Sequence, residues 1–298
     1  MGDAVKIVEC PRDAWQGLPG LIPAERKAAY LRRLLDAGFR QLDSVSFVSP
    51  AAVPQMADSE RVLELLEAPA DAEILGIVVN AQGAERAIRT GRVQTLGFPY
   101  SISTEFLRRN QRQTQAEALQ VLQMIVEQAS GAGLNVVAYV SMAFGNPYGE
   151  AWSAEAAAEA CDALLDAGVR EISLADTVGA ATGERVAETV ATVRSAHAEA
   201  EIGVHLHARR SEAAARILAA YDAGCRRFDA ALGGLGGCPF AQDEMVGNIP
   251  TELLLATLAE RTAELPGVRD VDGLCRESAE IAREFGKREP LRDAEGKR

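Results

Sequence analysis

His205 and His207 are two of only three histidines in the chain. They stand one residue apart at the end of an apolar run, Ile202-Gly203-Val204-His205-Leu206-His207. In a β-strand, side chains two apart share a face, so both imidazoles would converge at the strand's C-terminal end. That is metal-ligand geometry; a pair of hydrogen-bonded core histidines is the plainer alternative. Other short polar residues end neighbouring predicted strands: Arg12-Asp13, Asp43, Asp176 and, after a glycine-rich loop, Asn248. Oxygen and imidazole ligands gathered in this way suit Mg²⁺ or Mn²⁺ better than a thiolate-seeking ion.

Arg12-Asp13 combines a carboxylate that could ligate a cation with a guanidinium that could hold a carbonyl oxygen as it becomes an enolate. A surface ion pair is the alternative. Asp176-Thr177 could cap the following helix or act in the site. The run Gly233-Gly234-Leu235-Gly236-Gly237-Cys238-Pro239 is the most unusual composition in the chain. Four glycines around one leucine contribute little to a core, so this loop must either turn tightly or carry Cys238 to a reacting carbon. A rigid turn with an inert thiol is the other reading.

These residues need a scaffold that brings strand ends together. Helical segments are expected at 24–37, 59–67, 81–90, 114–132, 153–167, 184–199, 211–223 and 251–263. Between them lie strand-like runs at 5–9, 41–47, 74–79, 95–100, 136–142, 171–174, 203–207 and 228–232. Leu35-Asp36-Ala37-Gly38, Leu165-Asp166-Ala167-Gly168 and Tyr221-Asp222-Ala223-Gly224 repeat one device, a helix closing on a glycine before a buried strand. Eight alternating units predict a single (β/α)₈ TIM barrel over residues 1–298, with an extra C-terminal helix at 271–285 and a frayed charged tail at 286–298. The length of 298 residues fits, since such barrels take about 250 residues plus insertions. Reactive groups of these barrels cluster at the C-terminal strand ends, where Asp13, Asp43, Asp176, His205 and the glycine-rich loop are all expected.

Composition narrows the partners. A hydrophobic content of 48% and a charged content of 25% are ordinary globular values. A net charge of −12 with dispersed arginines argues against nucleic acid. The apolar runs are too short to span a bilayer and no signal-peptide pattern precedes the first strand, so no membrane association and a cytoplasmic location are expected. Five cysteines without CxxC spacing fit reduced thiols.

As a set, the segments Val5-Lys6-Ile7-Val8-Glu9 with Arg12-Asp13, Ser46-Phe47-Val48-Ser49-Pro50 through Val53-Pro54-Gln55-Met56, Tyr139-Val140-Ser141 with Pro147-Tyr148, Ile172-Ser173-Leu174 with Asp176-Thr177, His205-Leu206-His207, Gly234-Leu235-Gly236-Gly237-Cys238-Pro239 and Gly247-Asn248 resemble the 3-hydroxy-3-methylglutaryl-CoA lyases. Those enzymes fall within a larger group of metal-dependent barrels that make or break carbon–carbon bonds. The resemblance runs in order from about residue 5 to residue 285. It implies Asp13, His205, His207 and Asn248 as ligands of Mg²⁺ or Mn²⁺, Arg12 as the group facing the enolate, and Cys238 as an acid or base. His205 would also relay a proton, and Glu9, Asp43 and Asp176 would support the site. An acyl-CoA is the implied substrate, and a homo-oligomer, a dimer in its simplest form, is expected. Ala14-Trp15 stands where such lyases carry Gly-Leu, Asp43 where they carry glutamate, and Ala208 where they carry aspartate; these departures touch pocket shape and acyl group, not ligands. A Claisen synthase or 2-oxo-acid aldolase on the same barrel is the nearest alternative, and a non-catalytic acyl-CoA-binding barrel a more distant one.

Overall fold

The glycines that close the repeated motif do what their position demands: Gly38, Gly168 and Gly224 sit at φ values of 114°, 98° and 96°, a region open to glycine and strained for other residues. Each turns the chain from a helix into the next buried strand. In a computed structural model that describes residues 4–236 and 246–286, the elements follow one another as β1 (Lys6–Glu9), α1 (Pro11–Gln16), α2 (Ala24–Ala37), β2 (Gln41–Ser46), α3 (Ser59–Leu65), β3 (Glu73–Ile77), α4 (Ala81–Thr90), β4 (Thr95–Ser101), α5 (Thr104–Asn110) and α6 (Gln115–Ala132). The order continues with β5 (Asn135–Ser141), α7 (Ala154–Asp166), β6 (Glu171–Asp176), α8 (Gly183–Ala196), β7 (Glu201–Leu206), α9 (Arg210–Asp222), β8 (Arg227–Ala230), α10 (Thr251–Ala259) and α11 (Val271–Phe285).

The eight strands pair in sequence order, all parallel, and β8 closes on β1. This is the TIM barrel expected from the alternating pattern, with α11 as the extra C-terminal helix. No helix among the described residues is long and apolar enough to cross a membrane. Apolar helix faces, with Leu31, Leu34, Leu122, Ile125 and Val190 fully buried, pack on the outward strand residues. Within the barrel, Val8, Cys10, Leu75, Ile77, Val137 and Tyr139 form a separate cluster.

Two short helices were not expected. The α1 helix places Arg12 and Asp13 on a helical turn where the sequence suggests a loop, and Pro11 at its first position fits because that residue's N–H would have no helical partner. The α5 helix is capped by Ser103, whose hydroxyl accepts from the Phe106 amide. The charged tail beyond Gly286 lies outside the described residues, as do Gly237, Cys238 and Pro239.

Candidate active site

The β7 strand carries His205 into the barrel, and a bridge between His207 and Asn248 extends it by antiparallel pairing. Ile249 donates to the Leu206 carbonyl at 3.0 Å and Ala208 to the Gly247 carbonyl at 2.9 Å. Asn248 is thereby set beside the second histidine. The glycines make this crossing possible: a Cβ on Gly247 would stand 2.0 Å from the Gly234 carbonyl, and one on Gly236 would meet the Asn248 amide at 2.7 Å. Residues 233–236 therefore form a tight turn laid against the site.

The two imidazoles face each other through Nε2 at 3.3 Å, as the i, i+2 spacing anticipates. With Asp13 they form the one buried group of potential ligand atoms among the described residues, all within 4.8 Å of one another. His207 Nδ1 faces the Thr177 carbonyl at 3.2 Å, an acceptor that leaves Nε2 as the lone-pair nitrogen. The Asn248 amide donates to Asp13 at 2.7 Å and to the Leu235 carbonyl at 2.9 Å, while its Oδ1 is buried without a hydrogen-bond partner. A carboxylate, two imidazole nitrogens and a spare amide oxygen fit a divalent cation of the hard or borderline kind.

The local electrostatics favour that use. Burial alone would raise the Asp13 carboxyl, but Arg12 and the two histidines outweigh it and hold its pKa at about 2. Burial and the neighbouring His205 push His207 down to about 4, so its imidazole is neutral at neutral pH and its lone pair is free to ligate.

Arg12 is clamped beside these groups. Its Nε donates to Asp43 at 3.0 Å and its second nitrogen also reaches the Asp43 carboxylate, a two-point pair that fixes the guanidinium plane. Nη1 donates to Asp13 at 3.1 Å and to Gln16 at 3.0 Å, and Gln16 donates in turn to Asp13 at 2.8 Å. Despite burial, the flanking carboxylates raise the guanidinium's pKa and keep it charged. Asp43 is the third residue of β2 and not its end, as expected from sequence; because β1 stops at Glu9, level with Leu42, Asp43 lies one step above it and directly serves Arg12.

Glu9 and Asp176 lie away from this convergence. Ala175 pairs with His205 in the ladder, so its neighbour Asp176 points to the opposite face. There it accepts from the Ala180 and Ala181 amides and from Arg216, whose Nη1 also holds the His207 carbonyl at 2.6 Å. Glu9 accepts from the Leu232 amide at 2.8 Å and the Thr251 hydroxyl at 2.5 Å, anchoring both sides of the glycine turn. Burial raises its carboxyl to about 8. The structure thus ties Glu9 to the glycine turn and Asp176 to the loop after β6 and to Arg216, neither of them among the gathered ligand atoms.

A cavity of about 320 Å³ opens over Arg12, Asp13, His205 and His207. Val48, Val53, Ile77, Val79 and Phe106 give it an apolar wall, and Ser46, Asn110, Gln111, Ser141 and Thr177 add polar groups. The α5 residues Phe106 and Asn110 had no sequence signal beyond the Ser103 cap. Asp229, buried beside His205, was also not singled out, because only the pairing of β7 with β8 brings it there.

Comparison with known proteins agrees with this geometry. A 3-hydroxy-3-methylglutaryl-CoA lyase of Danio rerio, described as cytoplasmic, is 34% identical over 255 residues, covering 85% of this chain and 76% of its own. An (R)-citramalyl-CoA lyase of Chloroflexus aurantiacus is 33% identical over 264 residues, covering 85% and 83%. An HMG-CoA lyase structure from Acinetobacter baumannii, in complex with coenzyme A and 3-methylmalate, superposes with a TM-score of 0.86 at 32% identity, covering 98% of this chain and 95% of that one. The HMGL-like family profile matches residues 4–273, and with relatives of this identity along most of the barrel the chain belongs to the HMGL-like family.

Proposed function

We propose that the protein cleaves 3-hydroxy-3-methylglutaryl-CoA, or a close 3-hydroxyacyl-CoA, to acetyl-CoA and a 3-oxo acid, acetoacetate in the parent case. The observation that carries this reading is the convergence of Asp13, His205 and His207 beside a clamped Arg12 at the cavity floor. The family and the coenzyme A held by the Acinetobacter relative support an acyl-CoA as the small-molecule partner.

Asp13, His205, His207 and Asn248 would hold a divalent cation, Mg²⁺ or Mn²⁺, which supplies Lewis-acid polarisation of substrate oxygens when bound. The substrate's 3-hydroxyl gives its proton to a base or water of the pocket. The C2–C3 bond then breaks, C3 becomes a ketone, and the electron pair passes to C2 and the thioester oxygen as an enolate. Arg12, held in plane by Asp43 and Asp13, faces that developing charge with a donor already oriented, so little reorganisation is needed as the bond breaks. A proton delivered to C2 completes acetyl-CoA, and Cys238, which lies outside the described residues, is our candidate for delivering it. With its Nε2 lone pair given to the cation, His205 would be a ligand first and could relay a proton only through Nδ1.

The test is a coupled assay of acetyl-CoA and acetoacetate release from 3-hydroxy-3-methylglutaryl-CoA with Mg²⁺ or Mn²⁺ present. Equal release of the two products is expected. Turnover of citramalyl-CoA without turnover of 3-hydroxy-3-methylglutaryl-CoA would move the substrate to that of the Chloroflexus relative; condensation or 2-oxo-acid cleavage alone would overturn the lyase reading.

A further inference from the structure

Asp229 is the carboxylate of β8 and is wholly buried inside the barrel. Parallel pairing of β7 with β8 sets it directly beside His205. Its Oδ2 accepts the Ser173 hydroxyl at 2.6 Å and stands 3.7 Å from His205 Nδ1. Its Oδ1 stands 3.6 Å from Nε of Arg227, which is itself buried and occupies room left by Gly203, where a Cβ would press on the arginine side chain at 2.8 Å.

Three buried polar atoms here lack hydrogen-bond partners: His205 Nδ1, Asp229 Oδ1 and Arg227 Nε. Buried groups of this kind are rarely left unpaired, and these three complement one another, since a carboxylate between two N–H groups can serve both. The placement fits that pairing: the buried Asp229 carboxylate lies between the Arg227 guanidinium and the His205 imidazole. His207 meets a different partner on its outer nitrogen, the uncharged Thr177 carbonyl. The two ligand histidines are thus backed unequally, and only His205 has a carboxylate behind it. A carboxylate on the outer nitrogen fixes the tautomer and makes the ligating nitrogen a stronger donor.

We propose that Asp229, steadied by Ser173 and Arg227, is a positioning residue that fixes His205 as the Nδ1–H tautomer, turns its Nε2 lone pair towards Asp13 and His207, and sets how tightly the site holds a divalent cation. This rests on the reading of Asp13, His205, His207 and Asn248 as a cation site. Asp229 touches no substrate and acts only through His205.

The test uses the full chain in two measurements. In metal-free protein labelled with ¹⁵N-histidine, long-range ¹H–¹⁵N spectra at alkaline pH report the tautomer of each of the three histidines, with His205 assigned by its loss in His205→Gln. The proton is expected on Nδ1. Titration with Mn²⁺, followed by the electron paramagnetic resonance of the free ion, then compares wild type with Asp229→Asn, for which binding weaker by about 10- to 100-fold is expected. Ser173→Ala, which keeps the charge and removes one restraint, is expected to weaken binding less, and it stands in if Asp229→Asn does not fold. A proton on Nε2 of His205 in the metal-free protein, or Mn²⁺ affinity unchanged in the folded variants, would overturn the proposal. A wild-type protein that takes up no Mn²⁺ would overturn the cation-site reading and the affinity claim with it; the tautomer, read without metal, separates that failure from a failure of the Asp229–His205 contact.

Discussion

The barrel holds clustered charges at both of its mouths, and they are arranged in opposite ways. At the N-terminal mouth Lys6 lies 3.3 Å from Glu73, 3.3 Å from Glu171 and 3.2 Å from Glu201, and Arg227 reaches Glu171 at 3.3 Å. Every carboxylate there faces a cation, and Glu73 also accepts the Thr95 hydroxyl. At the C-terminal mouth Asp13, His205 and His207 gather ligand atoms within 4.8 Å of one another and Asn248 Oδ1 is buried without a hydrogen-bond partner, while the Arg12 guanidinium beside them is tied to Asp43 and Asp13. Closed pairing makes a plug. Two facing imidazole nitrogens and an unpaired amide oxygen beside a carboxylate fit a binding site, and this difference, more than the number of charges, distinguishes the two ends.

The contrast is sharpest if substitutions at the two ends fail differently. Cys238→Ser should lower kcat by about 10²- to 10⁴-fold with little change in substrate binding, the range for a lost proton donor. The same thiol should react with alkylating reagents faster than Cys10, Cys161 or Cys225, which are buried and whose thiols burial pushes up, to about 12 for Cys161 and Cys225. Normal turnover in Cys238→Ser would move the proton transfer to His205 and water. Arg12→Met should lower kcat by about 10²- to 10³-fold while metal uptake is retained, because its donor faces charge that develops only as the bond breaks. An arginine that merely braces the fold would give the reverse, with thermal stability falling and turnover per folded molecule intact.

At the other mouth Lys6→Met should leave turnover per folded molecule unchanged and cost about 1–3 kcal/mol of stability in denaturant unfolding, less than a fully buried broken pair because Lys6 and Glu171 remain 23% and 18% exposed. Loss of activity at constant stability would erase the distinction between the two ends. The smallest effect concerns Glu9, whose carboxyl burial raises from 4.5 to about 8. The folded chain keeps this proton over a range in which the unfolded chain has lost it, so its contribution to stability is complete below pH 4.5 and falls as pH rises towards 8. Glu9→Gln should flatten that fall in thermal unfolding measured across the range; an unchanged slope would assign the pH dependence elsewhere.

The same contrast explains what could be read from the sequence. Local chemistry was legible: α2, α4 and α11 run over the expected 24–37, 81–90 and 271–285 because each is long, amphipathic or closed by a clear stop. The i, i+2 histidine pair was legible for the same reason, since strand alternation alone brings His205 and His207 to one face. Two short helices, α1 and α5, carry too few residues for a period to show. Asp229 and Asp176 were obscured because their roles depend on register between strands distant in sequence. Pairing of His205 with Ala175 turns Asp176 away from the site, and pairing of His205 with Asp229 brings in a carboxylate that the run Arg227-Phe228-Asp229-Ala230 does not advertise.

The central claim is that the C-terminal mouth, and not the N-terminal one with Glu73, Glu171 and Glu201, is built to hold a divalent cation. Anomalous diffraction from crystals grown with Mn²⁺ tests it directly. The account predicts one peak bounded by an Asp13 oxygen, Nε2 of His205 and of His207, and Oδ1 of Asn248. A peak among Glu73, Glu171 and Glu201, or none at the histidines under saturating Mn²⁺, would contradict it.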